Sequence, residues 1–195
     1  MRWIFPGLLT SAMAEWFRRF PAQTRMIEDV YLLDPYLPGV SVKVRAGRAL
    51  EVKRYHGSPG LLEMPARTRG RLECWMKWSV PCDQPSQGSD GLNGWKRVSK
   101  RRRISWFSTV SGSPWRHGPG PGGEPGCALE LTEIYTGGSA WWTVGFEATG
   151  PVSLLSDELQ AAAALVFAQA LPGGVELGIA HSKSYTQWLR QLPGA

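Results

Sequence analysis

The stretch SVKVRAGRALEVKRY, residues 41–55, decides the fold. Read with the two-residue period of a β-strand, Val40, Val42 and Val44 share one face, and Ser41, Lys43 and Arg45 share the other. A turn at Ala46-Gly47-Arg48 follows, after which Leu50 and Val52 alternate with Glu51 and Lys53. The result is a hairpin with one apolar and one charged side. For a lone hairpin the charged side belongs to solvent. Its use depends on whether other strands aim their charges at the same place.

Working outward, similar short runs rich in Val, Tyr, Trp and Ile recur along the chain, separated by Gly, Pro and Ser. Strands are expected over residues 15–20, 27–32, 40–45, 50–55, 71–79, 95–107, 128–134 and 141–148. That many short strands in one chain predict a β-rich α+β fold built on a closed or nearly closed antiparallel barrel. Residues 81–94 and 111–126, loaded with Gly, Pro and Ser, read as long loops. The C-terminal part changes character: Ser156 is placed to cap a helix running to the Pro172-Gly173-Gly174 break, and Ser184 to cap a last short one. Both helices are expected to pack outside the barrel.

The chain of 195 residues fits one domain, taken here as residues 14–195 preceded by an extension over residues 1–13. MRWIFPGLLTSAMA imitates a secretory leader, but its apolar run is broken by Pro6, and Met13 is an alternative start. No segment approaches the roughly 20 apolar residues needed to span a bilayer. Lys and Arg together number 22 against 16 Asp and Glu, a net charge of +6 that suits an anionic partner. Cys74, Cys82 and Cys127 are odd in number and lack CxxC spacing, which argues against a disulfide framework or zinc site and makes the cytoplasm the default compartment. His56, His117 and His181 are too far apart to suggest a metal site.

The charged alternation of the hairpin recurs. Glu15, Phe17 and Arg19 share a face if EWFRRF is a strand; Glu73, Trp75 and Lys77 share one in RLECWMKWS; Lys100 and Arg102 in SKRRRIS; Glu130 and Thr132 in CALELTEI; and Glu147 ends WWTVGFEA. On an open sheet these would be cross-strand ion pairs in water. In a closed barrel they would line a lumen. Cations at fixed positions there would neutralise a polyphosphate, and carboxylates among them would hold a hard divalent ion.

The order of the pieces resembles the CYTH superfamily, the triphosphate tunnel metalloenzymes. The matching stretches are EWFRRF at Glu15, EDVYLLDP at Glu28, VKVR at Val42, LEVK at Leu50, RLE at Arg71, SKRR at Ser99, GFEATG at Gly145 and SYTQWL at Ser184. The resemblance implies a β-barrel tunnel binding a triphosphate through Arg19, Lys43, Arg45, Lys53, Lys100 and Arg102, with Lys77 beside them. It also implies that Glu15, Glu130 and Glu147 act as catalytic carboxylates and hold Mg²⁺ or Mn²⁺ for hydrolysis. The departures are Phe17, Arg19 and Gly145 where the family's two ExE strands carry Glu, Lys and Glu, so both carboxylate pairs are halved. Either Glu51, Glu73, Glu130 or Glu133 compensates, or the tunnel binds a nucleotide or polyphosphate without turning it over. Nucleic-acid binding through Arg101, Arg103 and the ten tryptophans ranks last. Neither substrate identity nor oligomeric state is legible.

Overall fold

The computed structural model describes residues 1–64, 68–82, 94–109, 115–117 and 124–192. Most of the loop residues expected at 81–94 and 111–126 lie outside that set. The alternating stretches form strands β1 (Arg2–Pro6), β2 (Gln23–Leu32), β3 (Val40–Arg45), β4 (Ala49–Met64), β5 (Thr68–Pro81), β6 (Trp95–Phe107), β7 (Trp115–Arg116), β8 (Gly126–Thr136) and β9 (Ser139–Thr149). Helices α1 (Ser11–Phe17), α2 (Val152–Phe167) and α3 (Tyr185–Arg190) complete the order. All the strands join one antiparallel sheet in the order β1-β9-β8-β6-β2-β3-β4-β5, with β7 beside β6. The sheet curls through 231°, a half-barrel whose two edges, β1 and β5, do not pair directly along their length.

At one end the gap between those edges is crossed by the segment 177–183. Lys183 N donates to Arg2 O (3.1 Å) on one side, while Arg69 N donates to Leu177 O (2.9 Å) and Arg71 N to Ser182 Oγ (2.8 Å) on the other. The β3–β4 hairpin turns through Ala46 (φ 50°) and Gly47 (φ 64°). Two consecutive left-handed residues match the twist of the strands they join, and glycine takes that conformation without a Cβ penalty.

Cross-strand partners share a face, and the registers therefore sort the side chains. Outward on β1, β8 and β9 point Trp3, Leu129, Leu131, Val144 and Phe146, all buried. They are covered by Met13, Trp16 and Phe17 of α1 and by Ala162, Ala163 and Val166 of α2. The two alanines let α2 approach closely. Burying each large apolar group here contributes about 1.5–3 kcal/mol.

Two expectations need correction. EWFRRF is not a strand: Thr10 caps α1 by accepting from Met13 N (3.2 Å), and Met13, Trp16, Phe17 and Phe20 bury one side at i, i+3, i+4 and i+7. Residues 1–13 are not an appendage, because β1 pairs along β9 and Trp3 is fully buried. The helices also differ in detail. α2 begins at Val152 after Pro151 rather than at Ser156, and ends at Phe167. Ser184 caps α3 as expected, and Gln187 completes a capping box with it. The outside position holds for α2, whereas α3 enters one end of the curl, where Trp188 and Leu189 pack on Ile4, Tyr31, Val98 and Ile134.

Candidate functional site

The concave face inherits the charged side of nearly every strand. Following the registers inward brings Arg2 from β1, Asp29 and Tyr31 from β2, and Lys43 and Arg45 from β3. It adds Glu51 and Lys53 from β4, Lys77 from β5, Lys100 and Arg102 from β6, Glu130 and Thr132 from β8, and Thr143 and Glu147 from β9. Period-two alternation puts them there, and curling makes them converge.

Two buried clusters form the floor. In the first, Asp29 accepts from Lys43 Nζ (3.0 Å), Lys100 Nζ (2.7 Å) and Arg45 Nε (3.4 Å), while Lys100 also donates to Tyr31 Oη (2.7 Å). Burial alone would raise the Asp29 carboxyl, but Lys100, Lys43 and Arg45 outweigh it and hold it well below the carboxylate range. Burial, with the Lys43 ammonium adding to it, pushes Lys100 down to about 7 against the pull of Asp29. In the second cluster, Glu130 accepts from Arg2 Nη1 (2.9 Å), Arg102 Nε (3.1 Å) and Thr132 Oγ1 (2.8 Å). Its pKa is driven far down by the two guanidinium groups despite burial. Tyr185, reaching in from the start of α3, joins the clusters: the Arg2 guanidinium lies 4.5 Å and the Lys100 ammonium 4.3 Å from its ring centroid.

Towards the open side the cations become accessible. The side chains of Lys43 and Lys100 are 7% and 2% exposed, but those of Arg45, Lys53 and Lys77 are 29%, 28% and 41% exposed. Arg45 Nη1 and Lys77 Nζ both sit against Glu51, at 3.2 and 3.0 Å, and Lys53 reaches across to Glu147 (3.0 Å). The Lys53 ammonium is what lowers the Glu147 carboxyl. These three cations meet water, and each has N–H groups to spare.

Of the residues singled out from the sequence, Lys43, Arg45, Lys53, Lys77, Lys100, Arg102, Glu130 and Glu147 come together on this face. Glu15 and Arg19 do not. Glu15 sits on the exposed side of α1 paired with Arg18, and Arg19 donates to Gln169 (3.2 Å) on the outer surface. Glu133 also points out, holding Arg103 (2.8 Å) and Arg101 (3.5 Å). The basic run at residues 100–103 is thereby split, two cations in and two out. Asp29, Arg2, Tyr31 and Tyr185 were not singled out. For Asp29 and Arg2 the available signal was parity: Asp29 is one residue beyond the Glu28 taken as the start of its motif, and Arg2 and Ile4 alternate with Trp3 and Phe5.

The donor set does not fit Mg²⁺ or Mn²⁺. Glu15 is outside, both oxygens of Glu130 are engaged by arginines, and Glu147 is held by a lysine. Among the described residues no three His, Cys, Asp or Glu side chains are grouped to hold a metal ion. Gly145, where the sequence pattern leads one to look for a carboxylate, is committed to packing: a Cβ there would lie 2.9 Å from Met1 O and 3.3 Å from Arg2 Cα. β1 occupies the space that a side chain would need.

No protein-family model matches this chain, and no curated protein does. The fold is similar to the solved structure of PH1819 protein from Pyrococcus horikoshii OT3, with a TM-score of 0.47 and 12% identity over 98% of this chain and 99% of that one. No helix among the described residues is long and apolar enough to cross a membrane.

Proposed function

We propose that the half-barrel binds a compact polyanion of the triphosphate class, such as inorganic polyphosphate or the phosphate chain of a nucleotide, without metal-dependent hydrolysis. This is the non-catalytic form of the CYTH-like reading. The observation that carries it is the pairing of an accessible cation rim, Arg45, Lys53 and Lys77, with four carboxylates, Asp29, Glu51, Glu130 and Glu147, that are each engaged by cations. Arg45 offers a planar fork suited to phosphate oxygens, and the lysines add point charge. Behind them Lys43, Arg2 and Arg102 outnumber Asp29 and Glu130 and leave a preorganised positive field, to which Lys100 adds when protonated. Neutralising Glu51 and Glu147 internally keeps the rim cations in place while the site is empty. A phosphate chain would compete with those carboxylates for the same N–H groups.

The test is a thermal melt with tripolyphosphate, with and without Mg²⁺ and EDTA, paired with phosphate-release measurement on the same samples. Stabilisation that survives EDTA, disappears in Lys53→Met/Lys77→Met, and comes without release is expected. Metal-dependent release would instead establish the hydrolase expected from the sequence. No stabilisation at all would return the rim to the role of surface ion pairs.

A further inference from the structure

The edge strand β5 carries an unexplained combination of features. Over residues 72–80 its outer side presents Met76 (48% exposed), Trp78 (48%) and Val80 (58%), continuous with Val42, Val44, Leu50 and Val52 of β3 and β4. Its backbone edge is open as well. Odd-numbered residues direct N–H and C=O away from β4: Arg69 N and Arg71 N donate to the 177–183 segment, and Arg69 O accepts from Trp3 Nε1 (2.9 Å). Even-numbered ones turn towards β4, as Leu72 O and Cys82 N do. Both register shifts of this pair are extra residues on β4, so β5 keeps its alternation. Beyond Arg71 no partner for the outward groups of Glu73, Trp75, Lys77 and Ser79 is present among the described residues. An apolar edge of this length, with no proline and no extra residue of its own over this span, is what single chains avoid exposing.

We infer that β5 pairs antiparallel with β5 of a second copy of this chain about a two-fold axis at Trp75. The charge pattern selects both the partner and the register. Self-pairing must set odd residues against odd ones, because only those have free backbone groups. With the axis at Lys77, ammonium would face ammonium, and with the axis at Cys74, Lys77 would face Arg71. An axis at Leu72 would set Arg71 against Glu73 but needs the Arg71 N–H that Ser182 already holds. With the axis at Trp75, Glu73 of each copy faces Lys77 of the other, joining opposite charges twice through free backbone. Glu73 makes no salt bridge within the chain among the described residues, whereas its neighbour Trp75 donates to it (3.1 Å). Three odd pairs, Glu73–Lys77, Trp75–Trp75 and Lys77–Glu73, then exchange two backbone hydrogen bonds each. On the outer side Cys74 meets Met76 and Leu72 meets Trp78, covering apolar surface that a single copy leaves in water. Pairing stops at residue 78, before Arg71, whose N–H is already used. The paired sheets join the two cation-lined concave faces side by side.

The experiment is sedimentation velocity on the full chain over a concentration series, with two variants. Wild type is expected to run at twice the 21.5 kDa chain mass, with a dissociation constant in the micromolar range appropriate to a small interface. Trp75→Pro removes an N–H that β4 does not use, so it leaves the circular dichroism unchanged and weakens the dimer about thirtyfold by deleting both central hydrogen bonds. Met76→Cys places a thiol opposite Cys74 of the other copy and gives an oxidised covalent dimer that the added substitution Cys74→Ser abolishes. A wild type monomeric at 100-fold above micromolar concentration, or a dimer that neither variant alters, would overturn the assignment. Capture of an unrelated strand by a monomeric wild type would count against it equally.

Discussion

The two halves of the sheet solve the same problem differently. In β1, β8 and β9 the outer face is large and apolar and lies beneath α1 and α2, while the inner face holds Glu130 between two arginines and Glu147 against Lys53. In β2 to β5 no helix among the described residues covers the outer face along most of its length, and the inner face spreads Asp29, Glu51, Lys43, Arg45 and Lys77 across a broader network that Lys100 of β6 joins. The covered half is a scaffold that fixes its charges rigidly. The bare half keeps Arg45, Lys53 and Lys77 at the opening, where they meet water. Stability and the proposed recognition thereby fall to different strands of one sheet.

Core truncation should separate the halves most sharply. Leu129→Ala, in the covered half and fully buried, is expected to cost about 4 kcal/mol, since the gap cannot collapse beneath two helices. Val52→Ala, half-buried on the bare face, should cost about 1 kcal/mol or less. Urea midpoints at constant slope measure both, and equal losses would mean that the bare face is covered in solution.

Next in size is the charge network. Asp29→Asn leaves Lys43 and Lys100 buried around a neutral amide, and losing one partner of such a cluster costs about 3 kcal/mol. The same carboxylates set the acid limit. Asp29 and Glu130 have folded pKa values below their unfolded ones. Their contribution is therefore complete above the ordinary carboxylate range of about 4 and disappears as pH falls below it. Urea titrations from pH 6 to 2 should show wild type losing stability steeply over that interval and Asp29→Asn losing less.

The sequence carried this division only in part. Strands 40–45 and 95–107 were readable to the residue, because valines alternate with polar groups in the first, β-branched and aromatic residues flank the basic run of the second, and no helix period competes. EWFRRF failed because Glu15, Phe17 and Arg19 also alternate. The helix period shows only when Met13 and Phe20 are counted with Trp16 and Phe17, and the burial of all four is a tertiary fact. The cations on β3, β4, β5 and β6 were legible from parity. Their neutralisation was not, since an ion pair such as Lys53 with Glu147 joins strands that are remote in sequence and meet only through curling. Gly145 could be seen to lack a carboxylate, but the reason, the approach of Met1 and Arg2, required β1 to be recognised as a strand.

Lys100 gives the smallest and most specific effect. Its folded pKa, about 7, lies below the model-peptide value of 10.5, so the folded chain binds this proton more weakly than the unfolded one. The resulting penalty is fully present below pH 7 and is relieved as pH rises from 7 towards 10.5. Between pH 7 and 9, wild type should gain stability relative to Lys100→Met, a change in slope rather than in midpoint at one pH. A polyanion at the rim would add negative potential beside Lys100 and draw its proton back. Binding of tripolyphosphate at pH 8 should then take up a fraction of a proton beyond that of the ligand itself, seen as a calorimetric heat that changes with the ionisation enthalpy of the buffer. Lys100→Met should remove that dependence. If the excess uptake persists in the variant, or is absent from wild type that nevertheless binds, the anion sits too far from the floor of the half-barrel for the buried cluster to sense it, and recognition belongs to Arg45, Lys53 and Lys77 alone.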